Sequence, residues 1–216
     1  MFTLLGQHMT IVALALTIAA CIALPLGYFL SRTRWISTAV IGVFSTIYSV
    51  PSIALLVILI PFTGLGMRTA VIVICLYAQF ILLRNVVTSF QAIDPAILEA
   101  SRGMGLSDRE ILFRIELPLI APRLISGFRI AALSSISIAT IAATINSGGI
   151  GTLMFEGVRT LHMVKLVWGI LLVSMLSLLT NQLLTKAETH FSNRARGLVR
   201  RKQKGAPDEI YEDTVL

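Results

Sequence analysis

A helix that crosses a bilayer needs about 20 consecutive, mostly apolar residues. This sequence offers five such runs, at about residues 9–30, 37–61, 69–92, 118–145 and 164–185. The expectation is therefore an all-α integral membrane fold of five transmembrane helices over residues 1–190, followed by a polar tail over 191–216. Pro25 and Gly27 lie near the end of the first run, and Pro51 interrupts the second. The charge pattern agrees. Only 13% of residues are charged, against about 25% in soluble chains. The first carboxylate in the chain is Asp94.

Lys and Arg give the orientation, because cytoplasmic loops are enriched in them. With the N-terminus outside, the inside segments hold Arg32 and Arg34, then Arg102, Arg109 and Arg114, then Lys186 and the tail cations from Arg194 to Lys204. The outside segments hold only Arg68, Arg159 and Lys165. The N-terminus is expected outside and the C-terminus in the cytoplasm. No basic segment or cleavage site accompanies the first run, so it reads as a retained span rather than a leader. The net charge of +7 comes largely from "RARGLVRRKQK", which would lie against anionic lipid, so no nucleic-acid partner is expected. The end, "GAPDEIYEDTVL", reads as a loose acidic tail.

The spans hold no Asp or Glu; Asp94 and Glu116 fall just beyond their edges. Intramembrane carboxylates are the usual proton relays of carriers, so a proton-coupled mechanism is disfavoured. No nucleophile–base pair appears, so no catalytic residue is assigned. Cys21 and Cys75 lie inside apolar runs, and His8, His162 and His190 are scattered, which leaves no metal site. Arg84, Arg123 and Arg129 can snorkel to the interface. The hydroxyl-rich runs "STIYSVPSIA" and "SSISIATIAATINSGGIG" suit close helix packing. They equally suit a polar route around the backbone freed at Pro51, and the two roles are compatible.

Between the third and fourth runs lies a polar insert, residues 93–117. Asp94 before Pro95 suits an N-cap followed by a first helical position. Gly103 suits a left-handed helix end, giving a short helix of about 95–102. Ser107 with Glu110 three residues later is a capping box, and a second helix is expected from there to about Glu116. Pro118 then marks a new start. Two short helices joined by the elbow Gly103-Met104-Gly105 make a rigid knuckle, which by itself suits either a solvated loop or a surface that a soluble partner could grip.

"EASRGMG" followed by "IELP" resembles the EAA motif of the permease subunits of binding-protein-dependent type I ABC importers. Glu99, Ala100, Gly105, Ile115, Leu117 and Pro118 match at the family's spacing; Ser101 stands where Ala is usual. The resemblance covers roughly residues 8–190. "SVPSIALLVILIPFTGLG", "LYAQFILLRNVVTSFQAIDPAILEASRGMG" and "INSGGIGTLMFEG" are similar to the glycine betaine, carnitine and choline branch, with Asn146 and Ser147 departing from its usual pattern. The resemblance implies that the first short helix is a coupling helix set in a groove of a separate ABC ATPase. Asp94, Glu99, Ala100, Ser101, Arg102, Gly103, Gly105, Ile115 and Pro118 would form or support that contact. It also implies a second permease subunit and an external substrate-binding protein. The chain has no Gly-x-x-x-x-Gly-Lys-Ser/Thr motif, so it is not itself the ATPase; no cofactor of its own is expected, ATP-Mg being bound by the partner ATPase. Candidate pathway residues are Ser49, Pro51, Tyr77, Ser134, Ser135, Thr140 and Asn146. A channel, or a scaffold that recruits a soluble protein without transport, are the readings from other classes.

Overall fold

The computed structural model describes residues 1–203, with side chains described as far as residue 193. The cations from Arg194 to Lys204 and the acidic end therefore lie outside the described side chains. Regular structure among the described residues is entirely helical.

The first helix, α1 (Phe2–Ser31), starts well before the expected residue 9. Its buried stripe includes Ile11, Ala15, Ala19, Ala23 and Gly27. Small residues four apart let two backbones approach closely in lipid. Here the partner is α4 (Met67–Gln91), and a Cβ on Gly27 would sit 2.5 Å from Val86 Cγ1. Buried Ala70, Val73, Ile74, Tyr77 and Ala78 on α4 face the same seam.

The second apolar run, interrupted by Pro51 as the sequence suggested, is sharply bent rather than continuous. It forms α2 (Arg34–Ser49) and α3 (Ser52–Thr63), bent by 96°. The residue before a proline is driven out of the helical region, and Val50 has ψ 133°. At 12 residues and 1.5 Å per residue, α3 reaches only about 18 Å, too short to cross the hydrocarbon core. The carbonyl of Val50, freed by the break, accepts a hydrogen bond from Tyr77 Oη. Replacing Tyr77 with Phe should therefore strand a carbonyl at membrane depth and cost about 1–2 kcal/mol. Thermal unfolding of the purified protein in detergent checks this, with Tyr48→Phe, on the exposed side of the same break, as the comparison.

After α4 come α5 (Pro95–Gly103) and α6 (Asp108–Ile111), a π turn (Leu112–Glu116) and α7 (Leu117–Ala142). The expected stop before Pro118 does not occur. Asp108 to Ile145 is one continuous helical run of 38 residues, closed by a 3₁₀ turn (Ala143–Ile145). The proline is absorbed by widening: Leu117 N–H reaches back to the Leu112 carbonyl, one residue further than in an α-helix. Pro118 has no N–H to donate and its ring crowds the preceding turn.

The stretch after residue 145, taken from sequence as connecting chain, contains a further helix, α8 (Ile150–Arg159). It is hinged onto the last helix, α9 (Met163–Gln203), which extends well past the expected residue 185. Gly157 lies where a Cβ would come within 2.7 Å of Leu166 N. Among the described residues four helices are long and apolar enough to cross a membrane, or five crossings if the bent pair counts as one. α1, α4, α7 and α9 pack in that order, with α2 and α3 laid against α4. α9 keeps a broad apolar face uncovered, including Leu171, Met175, Leu178 and Leu183.

Candidate functional site

The polar insert sits at the end of the bundle where α4 ends and α7 begins. Asp94 caps α5, its Oδ1 accepting from Ala96 N–H at 2.9 Å, with Pro95 in the first turn. Glu99, Ala100, Arg102 and Gly103 are exposed on the outer side of α5. Ser101 points the other way: it is fully buried and its hydroxyl donates to the Ile97 carbonyl at 2.7 Å. Leu98 packs inward against Val86, Phe90, Ile93 and Ile120. The knuckle is thus held from beneath by apolar contact and presents its charged residues outward.

The elbow turns at a different glycine from the one expected. Gly103 is the last residue of α5, and Met104 closes the helix with ordinary backbone angles. The left-handed residue is Gly105, at φ +81°. Arg102 Nη2 reaches across the elbow to Asp108 Oδ1 at 3.8 Å. The capping box forms as expected. Ser107 N–H donates to Glu110 Oε2 at 3.1 Å, and Glu110 N–H donates to Ser107 Oγ at 3.4 Å. Ile115 and Pro118 are half-buried in the run that leads into α7.

The Ser107 backbone N–H, then its hydroxyl, hold the Glu110 carboxyl below the ordinary carboxylate range. A carboxylate whose folded pKa is lowered adds stability above its unfolded pKa and loses it as pH falls through the folded value. Protection of the Ser107 and Glu110 amides against hydrogen exchange should therefore be constant near neutrality and fall as pH drops below 4.5, the ordinary value for this side chain. In Glu110→Gln the protection should be lower near neutrality and lack that acid step.

Beneath the insert lies a contact that sequence spacing could not show. Arg32, just past the end of α1, donates from Nη2 to both oxygens of Glu116, at 2.9 and 2.8 Å. The Glu116 side chain is 2% exposed and that of Arg32 44%. Glu116 is the one buried carboxylate among the described residues. The guanidinium also lies 4.8 Å from the Tyr28 ring centroid, and Tyr28 meets Phe90 edge-on at 5.3 Å. Gln91 Nε2 adds weaker bonds to the Ser31 carbonyl and Ser37 Oγ, at 3.4 and 3.5 Å.

The candidate pathway residues fall in three places. Ser49, Pro51 and Tyr77 gather at the α2–α3 break, where Tyr48 joins them, its ring 5.3 Å from Tyr77 and 4.7 Å from Phe80. Ser134, Ser135 and Thr140 lie along α7; Ser135 is buried, and Thr140 spends its hydroxyl on the Ile136 carbonyl. Asn146, left-handed at φ 60°, sits at the opposite end of the bundle from the insert. Its carbonyl is 3.6 Å from where a Cβ on Gly66 would stand. Between α4 and α7, nearer the insert, two adjoining hollows of about 360 and 290 Å³ share Asn85 and Thr88 and include Arg123 and Arg84 respectively. Arg129 does not snorkel freely: it bonds Thr185 Oγ1 at 2.8 Å and pairs with Glu188 at 3.4 Å.

A bundle of bilayer-length helices with a single capped knuckle at one end has the build of a membrane subunit of a transport complex. The match over residues 9–196 is to the family described as the inner membrane component of binding-protein-dependent transport systems. The chain belongs to that family, as the Glu99–Pro118 motif led one to expect, and it is a multi-pass protein of the cytoplasmic membrane. It is 33% identical to the osmoprotectant import permease protein OsmW of Salmonella typhimurium over 84% of this chain and 87% of that one. It is 32% identical to the carnitine transport permease protein OpuCB of Listeria monocytogenes, over 88% and 87%. With the choline transport system permease protein OpuBB of Bacillus subtilis it shares 31% identity over 84% of each. Among solved structures, a chain of the inward-facing MetNI methionine ABC transporter superposes with a TM-score of 0.78 at 21% identity, covering 86% of this chain and 93% of that one. That likeness establishes the fold.

Proposed function

We propose that this permease forms the translocation pathway for a compatible solute bearing a quaternary ammonium group, such as glycine betaine, carnitine or choline. The relatives named for osmoprotectant, carnitine and choline import support this substrate class. The observation that carries the mechanism is the outward face of α5. Glu99, Ala100 and Arg102 stand exposed on a helix fixed by the Asp94 cap, the half-buried Leu98 and the Gly105 elbow. A separate ABC ATPase would grip that face from the cytoplasm, with the N-terminus of the permease outside.

ATP would bind one conformation of the complex better than the other and so shift a two-state equilibrium. A second permease copy or relative would complete the pathway, and an external binding protein would supply the solute. The tyrosines at the α2–α3 break suit a cationic solute, since an aromatic face attracts such a group by roughly 0.5–2 kcal/mol. That is a weak hold, fitting a route whose tight recognition lies in the binding protein.

The test is uptake of labelled glycine betaine, carnitine and choline into vesicles containing this permease, its ATPase and its binding protein. Uptake of at least one that requires ATP supports the reading. Flux without ATP would replace the importer by a channel. Failure of all three with the ATPase still stimulated by the binding protein would move the substrate elsewhere.

A further inference from the structure

We propose that the Arg32–Glu116 pair is the joint that passes movement of the coupling helix into the transmembrane helices. This rests on the importer reading above. The polar insert joins the bundle by two stems: the end of α4 on the way in, and the π turn on the way out. The outgoing stem is the weaker, because π-type hydrogen bonding is a local departure from the α-helix and interrupts its regular ladder. Glu116 is the last residue of that turn and is buried. Arg32 fastens it to the corner between α1 and α2 through two short charge-assisted bonds, the stronger class of hydrogen bond.

The same corner also holds the incoming stem. Tyr28, which carries the Arg32 guanidinium on its ring, packs on Phe90 near the end of α4. Gln91 bonds Ser31 and Ser37. Leu98 of the coupling helix and Leu112 of the π turn join Phe90 and Tyr28 in one apolar cluster. Both stems are thus pinned to the inner corner of α1. With the pair intact, a pull on α5 moves α1 and α7 as one body. With it broken, the π turn yields and the pull is absorbed there. Arg32 and Glu116 act as positioning residues and touch neither solute nor nucleotide.

The test uses the whole importer in proteoliposomes, comparing wild type with Glu116→Gln, Arg32→Gln and the double variant. Two quantities are read: ATP hydrolysed per solute delivered, and a distance inside the permease. For the second, spin labels replace exposed Ala96 in the first turn of α5 and exposed Ile18 on α1, in a background lacking Cys21 and Cys75. In wild type the label distance should stay constant between the nucleotide-free and ATP-trapped states. In each single variant it should shift or broaden, and ATP per solute should rise severalfold. The double variant should be no worse than either single one.

A merely structural pair would lower the amount of assembled complex and leave both the ratio and the distance at wild-type values; that result would overturn the proposal. The distance needs no substrate. Failure of the solute reading in wild type therefore still leaves the joint tested.

Discussion

Gly105→Glu is expected to lower ATP-driven uptake at least about tenfold while the permease stays folded in the membrane. A Cβ at Gly105 meets nothing within 4 Å, so the change creates no clash. The residue does sit at φ +81°, where an L-residue costs roughly 1–3 kcal/mol. The larger effect is on docking. The variant places a carboxylate on the knuckle beside exposed Glu99 and Arg102, and a misplaced charge at a closed interface costs several kcal/mol, each 1.4 kcal/mol being tenfold in affinity. Gly105→Asn separates the two effects, because Asn tolerates the left-handed region without bringing charge. It should retain most uptake. Co-purification of the ATPase with each variant is the direct measurement, and equal recovery with wild type and Gly105→Glu would refute the docking role.

The second large effect is structural and lies at the other end of the molecule. Gly151→Leu should destabilise the fold by about 3 kcal/mol, at the upper end of the range for overpacked sites. A Cβ on Gly151 would stand 2.1 Å from the Thr140 carbonyl oxygen and 2.8 Å from Ala143 Cβ. The first of these is backbone near the end of α7, so no rotamer change can relieve it. α8 would have to lift off, pulling on the bond between Gln7 Oε1 and the Gly149 N–H that ties it to the start of α1. Thermal unfolding in detergent measures the loss. Gly6→Leu, where a Cβ meets nothing within 4 Å, is the matched control.

The parts legible in sequence were those set by neighbours along the chain. The Asp94 and Ser107 caps depend on residues two or three positions away, and both formed. The run lengths marked α1, α4, α7 and α9 as able to cross, and Pro51 marked the break in the second run. The misreadings arose where distant packing decides. Pro118 ends a helix by local rules, yet here the turn widened and the helix continued, because Ile120 and Leu117 pack on α4 and the insert. Gly103 and Gly105 are both plausible helix stops by spacing, and the path to Ser107 selects the second. α8 is too short to signal itself by apolar periodicity; its hint lay in glycines at 149, 151 and 157, each close to another element. The Arg32–Glu116 pair joins residues 84 apart, and a contact at that separation leaves no pattern in one sequence. Around the α2–α3 break, proximity of Ser49, Pro51 and Tyr77 emerged only when α4 was laid beside the bend.

The widened turn before Pro118 also gives the knuckle a compass bearing. A residue added to a helix rotates everything before it by about 100° about the axis and shifts it about 1.5 Å. With an additional residue in the turn Leu112–Glu116, α5 and its elbow face roughly a quarter-circle away from where an unbroken helix would aim them. Deleting exposed Phe113 would regularise the helix and leave the side chains of the insert intact, but turned away from their present direction. An interface formed by this insert would be keyed to azimuth as well as to surface chemistry, and a length change within this turn would disturb it more than a substitution at an exposed position.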